Sequence, residues 1–331
     1  MPLITVGVIA YNVEKYIEDC LESVINQTFS DWECIIVNDG STDNTLELCA
    51  KYAEKDRRIR VISKENGGTS TTRNSIIESA AGEYIFFVDS DDTLPYDALE
   101  QCIKGGEDCD VIIGGFNVLS EKGKTLNRIV PEDNIIAIHD FLDSTLKRSI
   151  YSAVWGRMFK TDTIRDTRFN CRLREGEDIF FNVNYLLNLI NTPIRIKTIG
   201  STVYNYYIRS SSVTHKSNDT RVRNLKILAG EFEKLYENYK DTIDQSCLNS
   251  FVLNILWFCR QHYNLQGLIK KTDPFFKGLM LRWVNKGHLD DSEIKDIKFI
   301  LNHTQHVANI YLFQRYLWSS VKAKIKKALN R

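Results

Sequence analysis

The segment Tyr84-Ile-Phe-Phe-Val-Asp-Ser-Asp-Asp92 joins a continuous apolar run directly to a cluster of carboxylates. A short run that is apolar throughout is typical of a strand covered on both faces of a parallel sheet. In open α/β sheets, the residues that follow such strands lie at the edge where ligands bind. The segment therefore predicts a buried parallel strand that carries Asp89, Ser90 and Asp91 to a binding edge.

Upstream of this segment, strand-like and helix-like patterns alternate. Strands are predicted at 3–10, 32–38, 60–63 and 84–88, and one of the intervening helices at 69–81. Asn12 is expected to cap the first helix, and Ser41 or Thr42 the second. This βαβαβαβ order predicts an α/β fold with a mostly parallel sheet flanked by helices and right-handed crossovers.

Polar or glycine-bearing residues follow each of the four strands, so they are expected to meet at one edge. The groups that we expect in a nucleotide site there are Ala10, Tyr11, Asn12, Asp39, Lys64, Gly67, Gly68, Arg73, Asp89, Ser90 and Asp91.

Individual roles within this nucleotide site follow from the residue types. Asp39 suits hydrogen bonds with a base or ribose, although it equally suits an Asp-Gly turn. The Gly67 and Gly68 amides can approach an anion at a helix N-terminus. Tyr11 either stacks on the base or packs at the strand end. Arg73 either faces the nucleotide or lies in solvent.

Asp89 and Asp91 stand two residues apart on a predicted turn and can reach one hard cation. Mg²⁺ and Mn²⁺ prefer oxygen ligands, which include carboxylates and diphosphate oxygens. Such a cation would offset the charge on a departing diphosphate. An acidic turn that caps the helix from Pro95 is the plainer alternative, but the position after a fourth parallel strand favours a metal site.

Composition limits the classes of function. The chain has 331 residues, with 43 basic and 43 acidic side chains, and this balance argues against a nucleic-acid binder. Its eight cysteines include no CxxC pair, and Cys20, Cys34, Cys49 and Cys259 fall among apolar residues. With no recognisable leader, a reducing cytoplasmic setting is expected.

Five motifs in order resemble the family 2 glycosyltransferases, which have the GT-A fold, a Rossmann-like sheet. They are Val6-Gly-Val-Ile-Ala-Tyr-Asn-Val-Glu-Lys-Tyr-Ile17, Gln27-Thr-Phe29, Ile36-Val-Asn-Asp-Gly-Ser-Thr-Asp43, Asn66-Gly-Gly68 with Arg73-Asn74, and Phe87-Val-Asp-Ser-Asp-Asp92. Ala10 stands where the family usually has proline. Weaker likenesses follow at Trp155-Gly-Arg-Met-Phe-Lys160, Gly176-Glu-Asp178 and 204–215.

The resemblance implies an inverting transfer from a UDP-sugar, with Mn²⁺ or Mg²⁺, to a hydroxyl of a glycan or lipid-linked saccharide in cell-surface polysaccharide synthesis. It implies that Asp178 is the general base, with Glu177 beside it at the acceptor site, and that Arg209 lies near the diphosphate. His215 would join Asp89 and Asp91 as a metal ligand, or be an ordinary surface histidine. Glu177 and Asp178 can also simply favour a helix N-terminus.

Two rival functions remain open. A nucleotidyltransferase also uses carboxylates and Mg²⁺, but it typically has a basic glycine-rich loop where Ala10-Tyr-Asn-Val13 stands. A non-catalytic nucleotide-sugar or carbohydrate-binding module would explain the same donor residues without turnover.

The C-terminal part differs from the rest of the chain. We expect residues 1–216 to form the catalytic domain and 217–331 a helical appendage. Residues 297–331 contain no acidic side chain and seven basic ones, interleaved with apolar residues. Such a tail either lies on an anionic membrane surface, making the protein peripheral on the cytoplasmic face, or is a solvated helix.

Overall fold

The computed structural model describes residues 2–147, 152–209 and 218–248, together with 250–251, 254–255 and 278. Its first part alternates strands and helices: β1 Ile4–Ala10, α1 Ile17–Ile25, β2 Trp32–Asn38, α2 Thr45–Lys55, β3 Ile59–Ser63, α3 Thr69–Ser79 and β4 Tyr84–Asp89. The four strands pair in parallel. The predicted βαβαβαβ order is confirmed, and each strand ends within one residue of its predicted limits.

The following elements extend the same sheet. They are α4 Ala98–Gly105, β5 Val111–Ser120, β6 Thr125–Ile129, β7 Asn134–Ile136, α5 Ile138–Leu146, β8 Arg157–Lys160, α6 Thr161–Ile164, α7 Glu177–Asn188 and β9 Ile196–Ile208. The strand order is β3-β2-β1-β4-β8-β5-β9-β7, and β6 pairs with β5. Because β8 lies antiparallel to both β4 and β5, the sheet is parallel in its first half and mixed in its second.

Strand register aligns the carboxyl ends of the parallel strands. Ala10 lies opposite Asn38, Ile9 opposite Asp89, and Asn38 opposite Ser63. The loops after β1, β2, β3 and β4 therefore begin at nearly the same level of the sheet, as the strand-end pattern predicted.

Burial explains why β4 is apolar throughout. Ile85, Phe86, Phe87 and Val88 are at most 1% exposed, because helices cover both faces of the parallel part. On the neighbouring strand, a Cβ at Gly7 would overlap Ile76 of α3. The missing side chain lets α3 pack closely on the sheet, and α3 carries Arg73.

The predicted helix caps are wrong. Tyr16 is the N-cap residue of α1 and Asn44 that of α2. Asn12 instead has a left-handed φ of 52°, and its side-chain oxygen accepts a hydrogen bond from the Thr42 amide at 2.8 Å. The Asn12 amide donates to the Ser41 hydroxyl at 3.1 Å. These side chains therefore join the loops after β1 and β2, because short polar residues can bond across a turn as readily as along a helix.

The chain divides into two compact units, Met1–His215 and Lys216–Arg331. In the second unit, α8 spans Asn218–Tyr239 and buries Leu228, Ala229 and Phe232. Cys20, Cys34 and Cys49 are buried, as predicted, whereas Cys259 and the basic tail lie outside the described residues. Among the helices that the structure describes, none combines the length and hydropathy needed to cross a bilayer.

Candidate active site

A cleft of about 600 Å³ opens beyond the carboxyl ends of β1, β2 and β4. Two groups of residues line it: those at the strand ends and on α3, and the consecutive residues that lead into α7. They are Ile9, Ala10, Tyr11, Val13, Asp39, Thr69, Thr72, Arg73, Asp89, Ser90, Asp91, Arg174, Glu175, Gly176, Glu177 and Asp178. The predicted donor carboxylates and the predicted base therefore share one cavity.

Asp39 is held rigidly at the end of β2. Its Oδ1 accepts a hydrogen bond from the Gly67 amide at 2.9 Å, and its Oδ2 accepts one from the Gly68 amide at 2.7 Å. The Lys64 ammonium is ion-paired with the same carboxylate. Burial alone would raise its pKa, but the two amides and Lys64 hold the pKa of Asp39 below its usual value. Asp39 is thus a charged, fixed acceptor on the cleft wall.

Three residues expected in the nucleotide site contact Asp39 from outside the lining of the cleft. Gly67, Gly68 and Lys64 are not among the described residues that line the cleft. Their donors reach Asp39, and Lys64 also donates to the Thr71 hydroxyl at 2.9 Å. The Gly67 and Gly68 amides therefore bind a protein carboxylate, that of Asp39, and help to fix its position.

Arg73 is the centre of the charge network. It projects from α3 and is only 2% exposed, so the alternative that it lies in solvent is wrong. One terminal nitrogen donates to Asp178 Oδ1 at 2.5 Å and to Glu177 Oε1 at 3.2 Å, and the other donates to Asp89 Oδ1 at 3.0 Å. A single guanidinium thus connects the acidic strand end to the acidic start of α7.

Glu177 and Asp178 open α7 immediately after Gly176, which has a left-handed φ of 77°. Burial raises the pKa of both carboxyls, and the charge of Arg73 opposes this rise. Asp178 Oδ2 accepts only a long hydrogen bond, 3.4 Å, from the Val154 amide. The pair does occupy a helix N-terminus, as the electrostatic alternative expects, but it also lines the cleft and contacts Arg73.

The acidic turn after β4 divides its side chains between two environments. Asp89, Ser90 and Asp91 line the cleft, whereas Asp92 is buried. Asp92 accepts hydrogen bonds from the Tyr207 amide at 2.8 Å and the Tyr204 hydroxyl at 3.0 Å. Burial, together with the charges of Asp89 and Asp91, raises the pKa of Asp92 to about 8. Asp92 therefore anchors the turn to β9.

Arg209 and His215 were expected near the diphosphate and the metal. Arg209 Nε donates to the main-chain oxygen of Asp91 at 3.1 Å and lies 3.7 Å from Asp91 Oδ2. Its guanidinium covers the ring of Tyr16 at 3.7 Å. It supports the Asp91 turn and is not among the described lining residues. His215 lies outside the described part of the chain.

The Trp155 segment packs behind the acidic turn. The Trp155 ring stacks on Tyr204 at 4.7 Å and on Tyr206 at 5.4 Å, and Trp155 is not among the described cleft residues. It shares Tyr204 with Asp92, so its contacts help to fix the turn through β9.

Sequence reasoning missed Thr69, Thr72, Arg174 and Glu175, which also line the cleft. Thr69 lies four residues before Arg73 on α3, so helical spacing from Arg73 would have indicated it. Thr72 is three residues after Thr69 and directly precedes Arg73, so spacing from Arg73 alone does not indicate it. Arg174 and Glu175 lie in a loop with no periodic pattern, and only the position of α7 brings them to the cavity.

Comparison with known proteins places this chain among the glycosyltransferases. The model for "Glycosyl transferase family 2" matches residues 5–166. Glycosyltransferase GlyG of Streptococcus pneumoniae is 31% identical over 223 residues, which cover 64% of this chain and 72% of GlyG. Chondroitin synthase of Pasteurella multocida is 30% identical over 344 residues, covering the whole chain and 34% of the synthase.

A solved structure, S. aureus TarS 1–349 in complex with UDP-GlcNAc, has a TM-score of 0.65 at 21% identity, covering 92% of this chain and 88% of that one. This likeness confirms the GT-A type of fold. The chain spans less than two thirds of the length of several curated relatives, from 31% to 63%.

Proposed function

This chain belongs to glycosyl transferase family 2, and on that premise we propose that it transfers a sugar from a UDP-sugar to a hydroxyl of a glycan or lipid-linked saccharide, with inversion. The observation that carries the proposal is one cleft lined by Asp39, Asp89 and Asp91 on one side and by Asp178 on the other. The UDP-GlcNAc bound by TarS and the polymer made by the chondroitin synthase support the donor and acceptor classes.

The donor occupies the wall formed by the strand ends. Asp39 keeps its charge because its pKa is lowered, so it accepts hydrogen bonds from the base or ribose at neutral pH. Tyr11, 49% exposed, offers its ring to the base. The two side chains come from the neighbouring strands β1 and β2, whose ends lie at the same level.

Asp89 and Asp91 are the proposed ligands of Mg²⁺ or Mn²⁺, with His215 as a further one. The donor set fits, because both described residues offer hard carboxylate oxygens to the same cleft. Burial and the charge of Asp89 raise the pKa of Asp91. A bound divalent cation would offset the repulsion between these two carboxylates. When bound, the ion would offset the charge that develops on the leaving diphosphate.

Asp178 removes the acceptor proton. Its Oδ1 is held by Arg73, which leaves Oδ2 to accept the proton. As the acceptor oxygen bonds to the anomeric carbon, the bond from that carbon to the diphosphate breaks and its electron pair leaves with UDP. Burial raises the pKa of Asp178, which makes it a stronger base, and the charge of Arg73 opposes that rise.

The test is release of UDP from a panel of nucleotide sugars with Mn²⁺ and candidate acceptors. The wild type is expected to turn over at least one UDP-sugar, and Asp91→Ala and Asp178→Asn to be strongly impaired. A binding module would bind the nucleotide sugar in calorimetry without releasing UDP. A nucleotidyltransferase would release pyrophosphate when it is given UTP and a sugar 1-phosphate in place of a nucleotide sugar. Full activity of Asp91→Ala would contradict the proposal.

We also propose that the basic tail attaches the protein to an anionic membrane surface, where a lipid-linked acceptor would be presented. Its support is the composition of residues 297–331. Each basic residue near such a surface contributes about 1 kcal/mol. Changing Lys322, Lys324, Lys326 and Lys327 to Gln should reduce co-sedimentation with phosphatidylserine vesicles. Equal co-sedimentation of both proteins would exclude this role.

A further inference from the structure

Arg174 connects the segment that leads into α7 to the loop between β3 and α3. It begins the run of consecutive residues, 174–178, that lines the cleft and ends at Asp178. Its Nη1 donates to the main-chain oxygen of Gly67 at 3.1 Å, across 107 positions of sequence. A guanidinium from the segment that carries the base thus lies against the loop that holds Asp39.

Gly68 provides the space for this guanidinium. It has a φ of +87°, and a Cβ built there would overlap Nη1 of Arg174. The three atoms nearest to that Cβ all belong to Arg174. The Gly68 amide also donates a hydrogen bond to Asp39, so this loop contacts both Asp39 and Arg174.

The lining of the cleft carries more acidic than basic side chains. Six carboxylates line the cavity, and they are Asp39, Asp89, Asp91, Glu175, Glu177 and Asp178. Arg73 is already contacted by three of them. The described lining contains one other basic residue, Arg174, and one of its hydrogen bonds is donated to the Gly67 carbonyl. A diphosphate is an anion and is repelled by such walls unless a cation meets it.

Building on the proposed function, we propose that Arg174 binds the diphosphate of the nucleotide-sugar donor. The guanidinium exchanges its hydrogen bond with the Gly67 carbonyl for a charge-assisted bond with a phosphate oxygen, which is roughly twice as strong. Because Arg174 precedes Asp178 by four residues, this contact also links the donor diphosphate to the segment that carries the base.

The experiment compares UDP with uridine, which lacks the phosphates, by ligand-detected NMR titration in the presence of Mg²⁺. Arg174→Gln is expected to weaken UDP binding roughly 10- to 100-fold, the range for hydrogen bonds to charged groups, and to leave uridine binding unchanged. Arg174→Lys should keep part of the UDP affinity. Arg172→Gln is the matched control, because Arg172 is exposed on the same loop and does not line the cleft.

A second variant tests the geometry independently. Gly68→Ala places a methyl group where the guanidinium lies, so it should weaken UDP binding in the wild type and much less in the Arg174→Gln background. Backbone strain at the positive φ is the same in both backgrounds and cancels in this double-mutant cycle. Equal losses in the two backgrounds would overturn the proposal.

The remaining outcomes separate the two levels of inference. The role of Arg174 is overturned if Arg174→Gln binds UDP as tightly as the wild type does, or if its affinities for UDP and uridine fall equally. Either result leaves the proposed function intact. A wild-type protein that binds neither UDP nor uridine overturns the proposed function and, with it, the role of Arg174.

Discussion

The two walls of the cleft are built in different ways. The wall that we propose for the donor, called the donor wall, gathers Asp39 and Asp89–Asp91 from the ends of separate strands, which the sheet register holds at one level. The wall that we propose for the acceptor, called the acceptor wall, is a single stretch, 174–178, that leads into α7. The first wall depends on hydrogen bonds between strands, whereas the second depends on where one helix packs. The donor wall should therefore tolerate changes in the acceptor wall better than the reverse.

The two walls are not fully separate, because Arg73, which belongs to α3, contacts both of them. Its contacts with Asp89, Glu177 and Asp178 mean that the carboxylates proposed for the donor and for the base share one buried cation. Variants of each wall, and of Arg73 between them, measure how independent the walls are.

The largest effect is expected on the acceptor wall. Asp178→Asn preserves the shape of the side chain and its bond with Arg73 but removes the base. Sugar transfer should fall by about 10²- to 10⁴-fold, and UDP affinity should change little because the donor wall is intact. Rates of UDP release and a UDP titration measure both quantities. A parallel loss of UDP affinity would show that the walls are not independent.

A somewhat smaller loss is expected on the donor wall. Asp91→Ala removes a proposed metal ligand, and transfer should fall by about 10²- to 10³-fold, as when one stabilising group is lost at a site of developing charge. Chelation of divalent cations should reduce the transfer rate of the wild type by a similar factor, and added Mn²⁺ should restore it. A transfer rate that changes with neither the substitution nor chelation would contradict the metal site proposed for the donor wall.

Between the walls, Arg73→Lys should act on both. One ammonium cannot reach three carboxylates in the fork geometry of a guanidinium, so transfer should fall by about 10- to 100-fold through misplacement of the base. Because Arg73 lowers the pKa of Asp178, weakening this contact should move the acid limb of the kcat/KM profile to higher pH. Arg168→Lys, exposed and away from the cleft, is the control. An unchanged acid limb would rule out an electrostatic role of Arg73 at the base.

The smallest effect is a change of stability within the donor wall. Asp39→Asn loses the charge that Lys64 and the Gly67 and Gly68 amides hold, at a cost of about 1.5–3 kcal/mol of unfolding free energy at neutral pH. The folded-state pKa of Asp39 is below its unfolded value of about 3.9. Its contribution is therefore complete above that value and is lost as the pH falls through the folded pKa. Urea unfolding of both proteins at about pH 7 and at about pH 3 measures the difference in unfolding free energy, which should be smaller in acid.

Most of the first half of the fold could be predicted because its signals are local. The continuous apolar runs of β1, β2 and β4 identify buried strands without reference to the rest of the chain. The predicted helix caps are wrong because Asn12 and Thr42 form hydrogen bonds with each other between two loops. The sequence of either loop alone does not reveal a partner in the other. Similarly, the four residues of β8 contain no pattern that predicts their antiparallel pairing with β4.

Strand and helix periodicity in the amino-acid sequence is enough to place the chemical groups at the strand ends and before α7. Which of these groups meet depends on the packing of distant elements. The amides of Gly67 and Gly68 reach Asp39, and Arg73 reaches Asp178 across 105 positions of sequence. Such contacts depend on how closely α3 and α7 pack on the sheet, which is set by side-chain volumes in the whole core. Periodicity reports the face that a residue occupies, but not the distant residue that it will touch.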